Sequence, residues 1–392
     1  MPELVTADKC TGCAACAAIC PTQCIVMKPD TEGFLHPQID SACCIECHRC
    51  ESTCPLLFKG AETQQETEAY GACNKDAAVV KRSSSGGMFS LLANKIIEDE
   101  GVVFGAAFES PERVKHIAVD DKQQLWRLCS SKYVQSEICS VYQQVQDYLK
   151  KDIPVLFSGT PCQIAGLKAY LKKDYSKLVC IDTICHSVPS PKVWKEFLKE
   201  VEDDERSRIL NVNFREKQSG WENYSLYLKF ENGKEKRYFS QQNIYMHAFI
   251  EGLSTRPSCY SCEFKGAAHV SDITLGDFWG VRQAAPECFD EQGTSLVLIH
   301  NEKGRALLQR CDQDAIITPV AFDSAIAGNP AYAVSSCRHP HREKFFKILG
   351  TTSLQTLIPS MLEPTAAEKV KSVIRRSIPA KAMRRMKQYI KR

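Results

Sequence analysis

Two stretches of the 392-residue chain concentrate thiols at regular spacing: "CTGCAACAAICP" at 10–21 and "CIECHRCESTCP" at 44–55. Each reads C-x2-C-x2-C-x3-C-P, the pattern of two-cluster bacterial ferredoxins. Three thiolates on a tight loop cover three irons of one cubane, and the fourth leaves the loop for the other cluster. Cys10, Cys13, Cys16 and Cys54 are therefore expected to hold one [4Fe–4S] cluster. Cys44, Cys47, Cys50 and Cys20 are expected to hold the second. Pro21 and Pro55 turn the chain away after each fourth ligand. Structural zinc also uses four thiolates, but identical spacing in both copies favours clusters. Cys24 and Cys43 fall outside the pattern and read as spare thiols.

Composition sets the frame for this chemistry. A hydrophobic content of 44% and a charged content of 25% are those of a globular protein with a sizeable core. The cysteine count of 21 is odd, and eight of them sit in C-x-x-C words, which favours metal ligation over disulfides. "MPELVTADKC" has no apolar core for a signal peptide, and no apolar run approaches a membrane span. These features predict a cytoplasmic, thiol-reducing setting. The net charge of +3 is uneven. Residues 369–392 hold 10 Lys or Arg and no acid, leaving 40 basic against 47 acidic residues before them.

Elements must then position a second group of thiols. "GAETQQETEA", 60–69, reads as a polar linker. "RSSSGG", 82–87, precedes a helical pattern with Met88, Leu92 and Ile96 on one face. Serines and glycines ahead of a helix offer backbone N–H groups at a positive dipole end, a phosphate cradle to which Arg82 can add charge. "GVVFGAAF" reads as a buried strand and "SSKYVQS", 130–136, as a polar loop. "IPVLFSG", "TPCQIAGLKAYLKK" and "KLVCIDTI" read as strand, amphipathic helix and strand. Short connections make this a right-handed βαβ unit with parallel strands. Cys162 and Cys185 then lie beyond the carboxyl ends of those strands, where open α/β sheets bind ligands. With Cys259 and Cys262 of "PSCYSCEFK" they make a third set of four, for a third [4Fe–4S] cluster or for zinc. "WENYSLYLKF", "SDITLGDFWG" and "TSLVLIH" read as further strands, the last followed by a helix from Lys303.

The words "RSSSGG", "SKYVQS", "LFSGTPCQIAGLK", "ICHSVPSPKVW", "PSCYSCEFK" and "SDITLGDFWG", in this order, resemble the family of coenzyme F420 hydrogenase/dehydrogenase beta subunits, which includes 7-hydroxymethyl chlorophyll a reductase. The resemblance runs from about residue 70 to about 340. It implies FAD beside a [4Fe–4S] cluster, and an N-terminal two-cluster ferredoxin domain accords with many bacterial members. It implies that Arg82, Ser83, Ser85, Gly86 and Gly87 hold flavin phosphates. It further implies that Ser130, Lys132, Tyr133, Gln135, Thr160, Asp272, Thr274 and Asp277 surround the flavin. Ser187 stands where the family is expected to have glycine.

His186, beside Cys185, is a candidate proton donor or a histidine that braces the local fold; His116 reads as structural. The basic tail has apolar residues at helical spacing. It reads as a solvated helix or as a peripheral contact with an anionic membrane surface; the acidic body argues against nucleic acid.

The expected fold is mixed α/β: a small bacterial-ferredoxin-like domain, 1–60, and a linker, 61–69, precede a larger flavin-binding unit with a mixed sheet. Within that unit, 70–150 would carry the flavin phosphates and 151–350 the third cluster, with a tail at 351–392. The expected function is a cytoplasmic iron–sulfur flavoprotein oxidoreductase. It would pass electrons between [4Fe–4S] clusters and FAD for a small organic substrate, a deazaflavin or a redox partner protein. The alternative is a non-catalytic electron-transfer subunit of a larger redox complex.

Overall fold

The structure, a computed structural model, describes residues 1–58, 66–138, 140–239 and 242–363. Most of the expected linker and the whole basic tail from 369 lie outside the described residues. Among the described residues no helix is long and apolar enough to cross a membrane.

Fourteen strands are described. β1 (Ile25–Pro29) and β2 (Leu35–Ile39) form an antiparallel hairpin in the cysteine-rich segment. The large sheet takes β3 (Glu68–Asn74), β4 (Val102–Ser110), β5 (Arg113–Val119), β6 (Ser136–Glu137), β7 (Val155–Gly159) and β8 (Leu178–Thr183). β9 (Ile209–Glu216), β10 (Ser225–Phe230) and β11 (Glu235–Phe239) make a separate antiparallel sheet. β12 (Ile273–Asp277), β13 (Ser295–Ile299) and β14 (Ala315–Val320) complete the large sheet. Its order is β14-β3-β13-β12-β8-β7-β4-β5-β6. β4, β7, β8 and β12 run parallel through its centre, and β13, β3 and β14 continue it antiparallel. The sheet is thus mixed, as the sequence pattern requires.

The central strands form because they are near-continuous apolar runs covered on both faces; all five residues of β13 are buried. The 161–171 helix starts at a capping box: Gln163 Oε1 accepts the Thr160 N–H at 2.9 Å, and Pro161 opens the first turn. The strand–helix–strand unit stands where the sequence places it. The helix itself differs from expectation. Its burial runs round most of its circumference, from Pro161 and Ile164 to Tyr170 and Leu171. One face meets the sheet; the other meets the cysteine-rich segment, which shares its apolar core through Ala15, Ile19, Ile25, Tyr142, Ile164 and Leu167. Gly166 permits that approach: a Cβ there would stand 3.0 Å from the Cβ and Sγ of Cys13. The Tyr142 hydroxyl lies 2.9 Å from the carbonyl oxygens of both Cys13 and Gln163. A helix facing only solvent opposite the sheet would be amphipathic; this one is sandwiched.

Candidate functional site

The cysteine-rich segment gathers its thiols in the two crossed sets that the spacing predicts. Cys16 feels the charges of Cys13, Cys10 and Cys54. Cys20, Cys44, Cys47 and Cys50 line one small cavity. Cys24 lines it too, its Sγ 3.4 Å from that of Cys20, so this thiol is nearer the second set than its place outside the pattern suggests. Burial pushes the Cys13 thiol up to about 12 and raises Cys16 as well. For Cys10 burial acts upward, but a His36 hydrogen bond and the Arg256 charge outweigh it and the net shift is downward. Sulfurs crowded away from water hold their protons unless a cation replaces them.

Cys162, Cys185, Cys259 and Cys262 also come together. Cys185 feels the charges of the other three thiols, and burial holds it well above the ordinary thiol range. Burial likewise pushes Cys259 up to about 12. Cys162 opens the 161–171 helix, Cys185 follows β8, Cys259 lies within a 3-10 turn at Pro257–Ser261, and Cys262 caps its end. This set adjoins the first one, since Cys13 and Cys162 are near enough for their charges to interact. Among the described residues no three His, Cys, Asp or Glu side chains close around a point fit for a single ion. A zinc ion needs its sulfurs at about 2.3 Å; a cubane spreads its ligands further apart.

A cleft of about 560 Å³ opens beside these thiols. Cys162, Cys185 and the Thr11–Gly12 loop line it together with the serine–glycine turn before the 88–98 helix. Ser83, Ser85 and Gly87 of that turn face the cleft. Gly87 begins the helix with φ 80° and no side-chain cap, which leaves backbone donors open. Gly86 lies behind the wall, where a Cβ would meet the Ala72 carbonyl oxygen at 2.5 Å and the Ser295 nitrogen at 2.8 Å. Ser130, Lys132, Tyr133, Gln135, Thr160, Asp277 and His186 also line the cleft. Lys132 Nζ donates to the Cys129 and Ser130 carbonyls at 2.6 and 3.1 Å. An ammonium has three protons, so one remains for a ligand. Burial holds this lysine down at about 8. Thr160 Oγ1 stands 3.1 Å from Cys162 Sγ.

Besides Gly86, three expected flavin contacts do not line the cleft. Arg82 is exposed at the end of the 77–82 helix and does not line the cleft. Asp272 is fully buried and accepts from the Cys180 N–H and Asn301 Nδ2, each at 2.6 Å. Thr274 Oγ1 bonds Asp182 Oδ1 at 2.5 Å and His300 Nε2 at 2.7 Å. Both serve a polar network inside the fold. His116 is structural, as expected: its ring bonds Ser136 Oγ at 2.7 Å and the Ser158 carbonyl at 3.0 Å. His186 Nε2 is buried without a partner, its ring edge-on to Phe249 and held below the ordinary imidazole range by burial. Ser187, at the expected glycine position, is accommodated by a 3.1 Å contact with Thr255 Oγ1.

Sequence reasoning missed Arg215 and Lys217. Both lie at or just past the end of β9, alternating inward with Asn213, where a half-buried strand should carry apolar side chains; that break in the pattern was the available signal. Arg215 lines the cleft with its guanidinium 3.8 Å over the Tyr224 ring, and its Nε is buried without a partner. Lys217 Nζ donates to the carbonyls of Val80 at 2.7 Å and Ser85 at 3.0 Å, and pins the serine–glycine turn. The cleft therefore combines open amide donors, a lysine with a proton to spare, aromatic and apolar walls, and thiols, a lining that fits a partly anionic ligand.

Residues 153–324 match the family described as the C terminus of the coenzyme F420 hydrogenase/dehydrogenase beta subunit, and residues 9–56 match the 4Fe-4S dicluster domain. Among curated proteins the chain is similar to the F subunit of the F(420)H(2) dehydrogenase of Methanosarcina mazei, 23% identical over 215 residues. That stretch is 50% of this chain and 60% of the relative, so the chain spans less than two thirds of the relative's length. Among solved structures it is similar to a chain of the F420-reducing [NiFe] hydrogenase complex from Methanosarcina barkeri. The TM-score is 0.45 and the identity 15%, over 81% of this chain and 95% of that one.

Proposed function

We propose that this chain is an iron–sulfur electron-transfer subunit of an F420 hydrogenase/dehydrogenase-like redox complex: it belongs to the family of coenzyme F420 hydrogenase/dehydrogenase beta subunits through residues 153–324 and carries a 4Fe-4S dicluster domain at 9–56. Cys10, Cys13, Cys16 and Cys54 would hold an inner cluster, and Cys20, Cys44, Cys47 and Cys50 an outer one. Cys162, Cys185, Cys259 and Cys262 would hold the third. FAD would occupy the cleft, its phosphates on Ser83, Ser85, Gly87 and Lys132. A bound flavin supplies the exchange between one-electron and two-electron transfer. The chain's own part is to hold thiolates and phosphates and to keep water from the path between them.

The observation that carries this reading is the cleft itself. It touches the Cys10–Cys16 loop at Thr11 and Gly12, the third set at Cys162 and Cys185, and the serine–glycine turn at Ser83–Ser85. Electrons arriving singly thus reach one site that suits a nucleotide cofactor. Anaerobically reconstituted full-length protein should bind about 12 irons, three cubanes of four, and release one FAD per chain on denaturation. Its flavin absorbance should bleach when a low-potential donor reduces the clusters. Reconstituted protein that takes up no FAD would end the flavin part of this reading. Zinc in place of iron and sulfide would end all of it.

A further inference from the structure

Arg256 is a wholly buried cation strung between two ligand loops. Its main chain belongs to the third set: the Arg256 N–H donates to the Val188 carbonyl at 2.9 Å, and its carbonyl accepts the Cys259 N–H at 3.0 Å. Its side chain belongs to the ferredoxin segment. Nε donates to the Cys10 carbonyl at 2.7 Å, and one terminal nitrogen donates to the Leu35 carbonyl at 3.0 Å. That nitrogen lies 3.3 Å from His36 Nδ1, and the other lies 3.5 Å from Gln135 Oε1. The plane of the group also faces the Phe34 ring at 5.4 Å.

Among the described residues no carboxylate contacts this guanidinium. The acid nearest through bonds is Asp30, which pairs with His36 at 3.2 Å. A buried charge without a counter-charge is costly and rarely retained. Hydrogen bonds to carbonyls satisfy its donors but do not neutralise it. Its charge instead sits between two ligand loops, its side chain bonded to the Cys10 main chain of the inner set and its own main chain to that of Cys259 in the third. A [4Fe–4S] cube with four thiolates is an anion and becomes more negative when reduced.

We propose that Arg256 is a positioning residue shared by two clusters, the common counter-ion that raises the reduction potentials of the inner ferredoxin cluster and the third cluster relative to the outer one. The proposal rests on the three-cluster reading above. With the clusters bound, an electron passing inward would leave the outer cube for the inner and then the third, with no bond made or broken. Each arrival adds negative charge beside the guanidinium, so the charge favours inward flow. Net charge and hydrogen bonds around the sulfurs are known determinants of such potentials. Arginine suits the post because it stays charged and its fork can serve two loops at once.

The test uses anaerobically reconstituted full-length protein in the wild-type, Arg256→Gln and Arg256→Lys forms. Iron and sulfide are counted first, and potentials are then read by titration under electron paramagnetic resonance. Wild-type protein with only about eight irons would overturn both the three-cluster reading and this proposal. With three cubes present, Arg256→Gln should move the inner and third potentials negative and the outer one least. Arg256→Lys, which keeps the charge but loses the fork, should restore most of both shifts. Unchanged potentials in iron-replete Arg256→Gln, or an equal shift of all three clusters, would overturn the proposal and leave the three-cluster reading standing. If Arg256→Gln fails to fold, Arg256→Lys decides alone. Near-wild-type potentials support the role of charge, and a shift of both clusters with full iron content assigns the effect to geometry and overturns it.

Discussion

Arg215 and Asp277 join the two sheets of the larger unit. The guanidinium on β9 grips both oxygens of the carboxylate at the end of β12, at 2.8 and 3.1 Å. Asp277 also accepts the Trp221 indole N–H at 2.8 Å, and Trp221 stacks flat on Trp279 at 4.8 Å. The arginine side chain is 2% exposed, its partner 14%. Asp277, which the sequence suggests as a flavin contact, therefore spends its charge on the wall of the cleft.

Removing one member of that pair should cost stability. Asp277→Asn keeps the shape and strands a buried guanidinium, at roughly 3–5 kcal/mol. Replacing both, as Arg215→Met with Asp277→Leu, should recover much of the loss, because two charges no longer need burial. Urea unfolding of the two singles and the double gives the coupling. A double variant that loses the sum of the single costs would show that the residues act separately.

Lys132 should make FAD binding in the cleft pH-dependent. Burial lowers its ammonium to about 8, against 10.5 for an ordinary lysine. Below pH 8 the cleft holds a cation, and above it the charge is lost. FAD affinity should therefore fall about tenfold between pH 7 and pH 9, the ratio expected for one group titrating at 8. The ligand-free fold should respond the other way. Its pKa is depressed, so from pH 8 to 10.5 the unfolded chain binds the extra proton and stability rises with pH. Fluorescence titration of flavin-free protein measures the first effect. Lys132→Met should flatten the pH profile; an equally steep profile in that variant would assign the titration to another group.

The third set of thiols can be removed selectively. Cys259→Ser with Cys262→Ser should reduce the iron of the full-length protein from about 12 to about 8. The two ferredoxin signals should persist in low-temperature spectra. Flavin reduction through those clusters should slow, since a relay beside the cleft is lost. Unchanged iron with unchanged flavin reduction would leave these cysteines without a ligating role.

The parts legible in the sequence are those whose causes are local. Ligand loops declare themselves by spacing, buried parallel strands by unbroken apolar runs, and the 161–171 helix by its threonine and proline start. The assembly of these parts was less visible. Alternation placed Asp272 and Thr274 on a strand, but period two says which face a residue takes and not what covers that face. Asp182, Asn301 and His300 cover it here, so both residues serve the interior. Arg256 reaches Cys10 across 246 positions, and no local pattern announces such a contact. Arg82 carries charge beside the right turn, yet the 77–82 helix ends with it facing solvent, and the arginine at the wall is Arg215, from another sheet and paired with Asp277.

Gly166 sets how closely the cysteine-rich segment can sit on the larger unit. Two effects of opposite sign meet there. Alanine in a helix interior gains up to about 1 kcal/mol over glycine. A Cβ at this position, however, would press on Cys13 Cβ and Sγ and on the Tyr142 hydroxyl, all at 3.0 Å. A few tenths of an ångström of movement accommodates a methyl group, so Gly166→Ala should be near neutral and keep its iron. Gly166→Leu brings three further carbons into the same gap, against the loop carrying Cys10, Cys13 and Cys16. That loop should lift, and the inner cluster should be lost, about four irons. Cys10 would leave its bond to Arg256, and the cysteine-rich segment would open to protease. Iron analysis and limited proteolysis of the three proteins decide it. If Gly166→Leu keeps all its iron and resists the protease like the wild type, the close approach at Cys13 is not what holds the two units together.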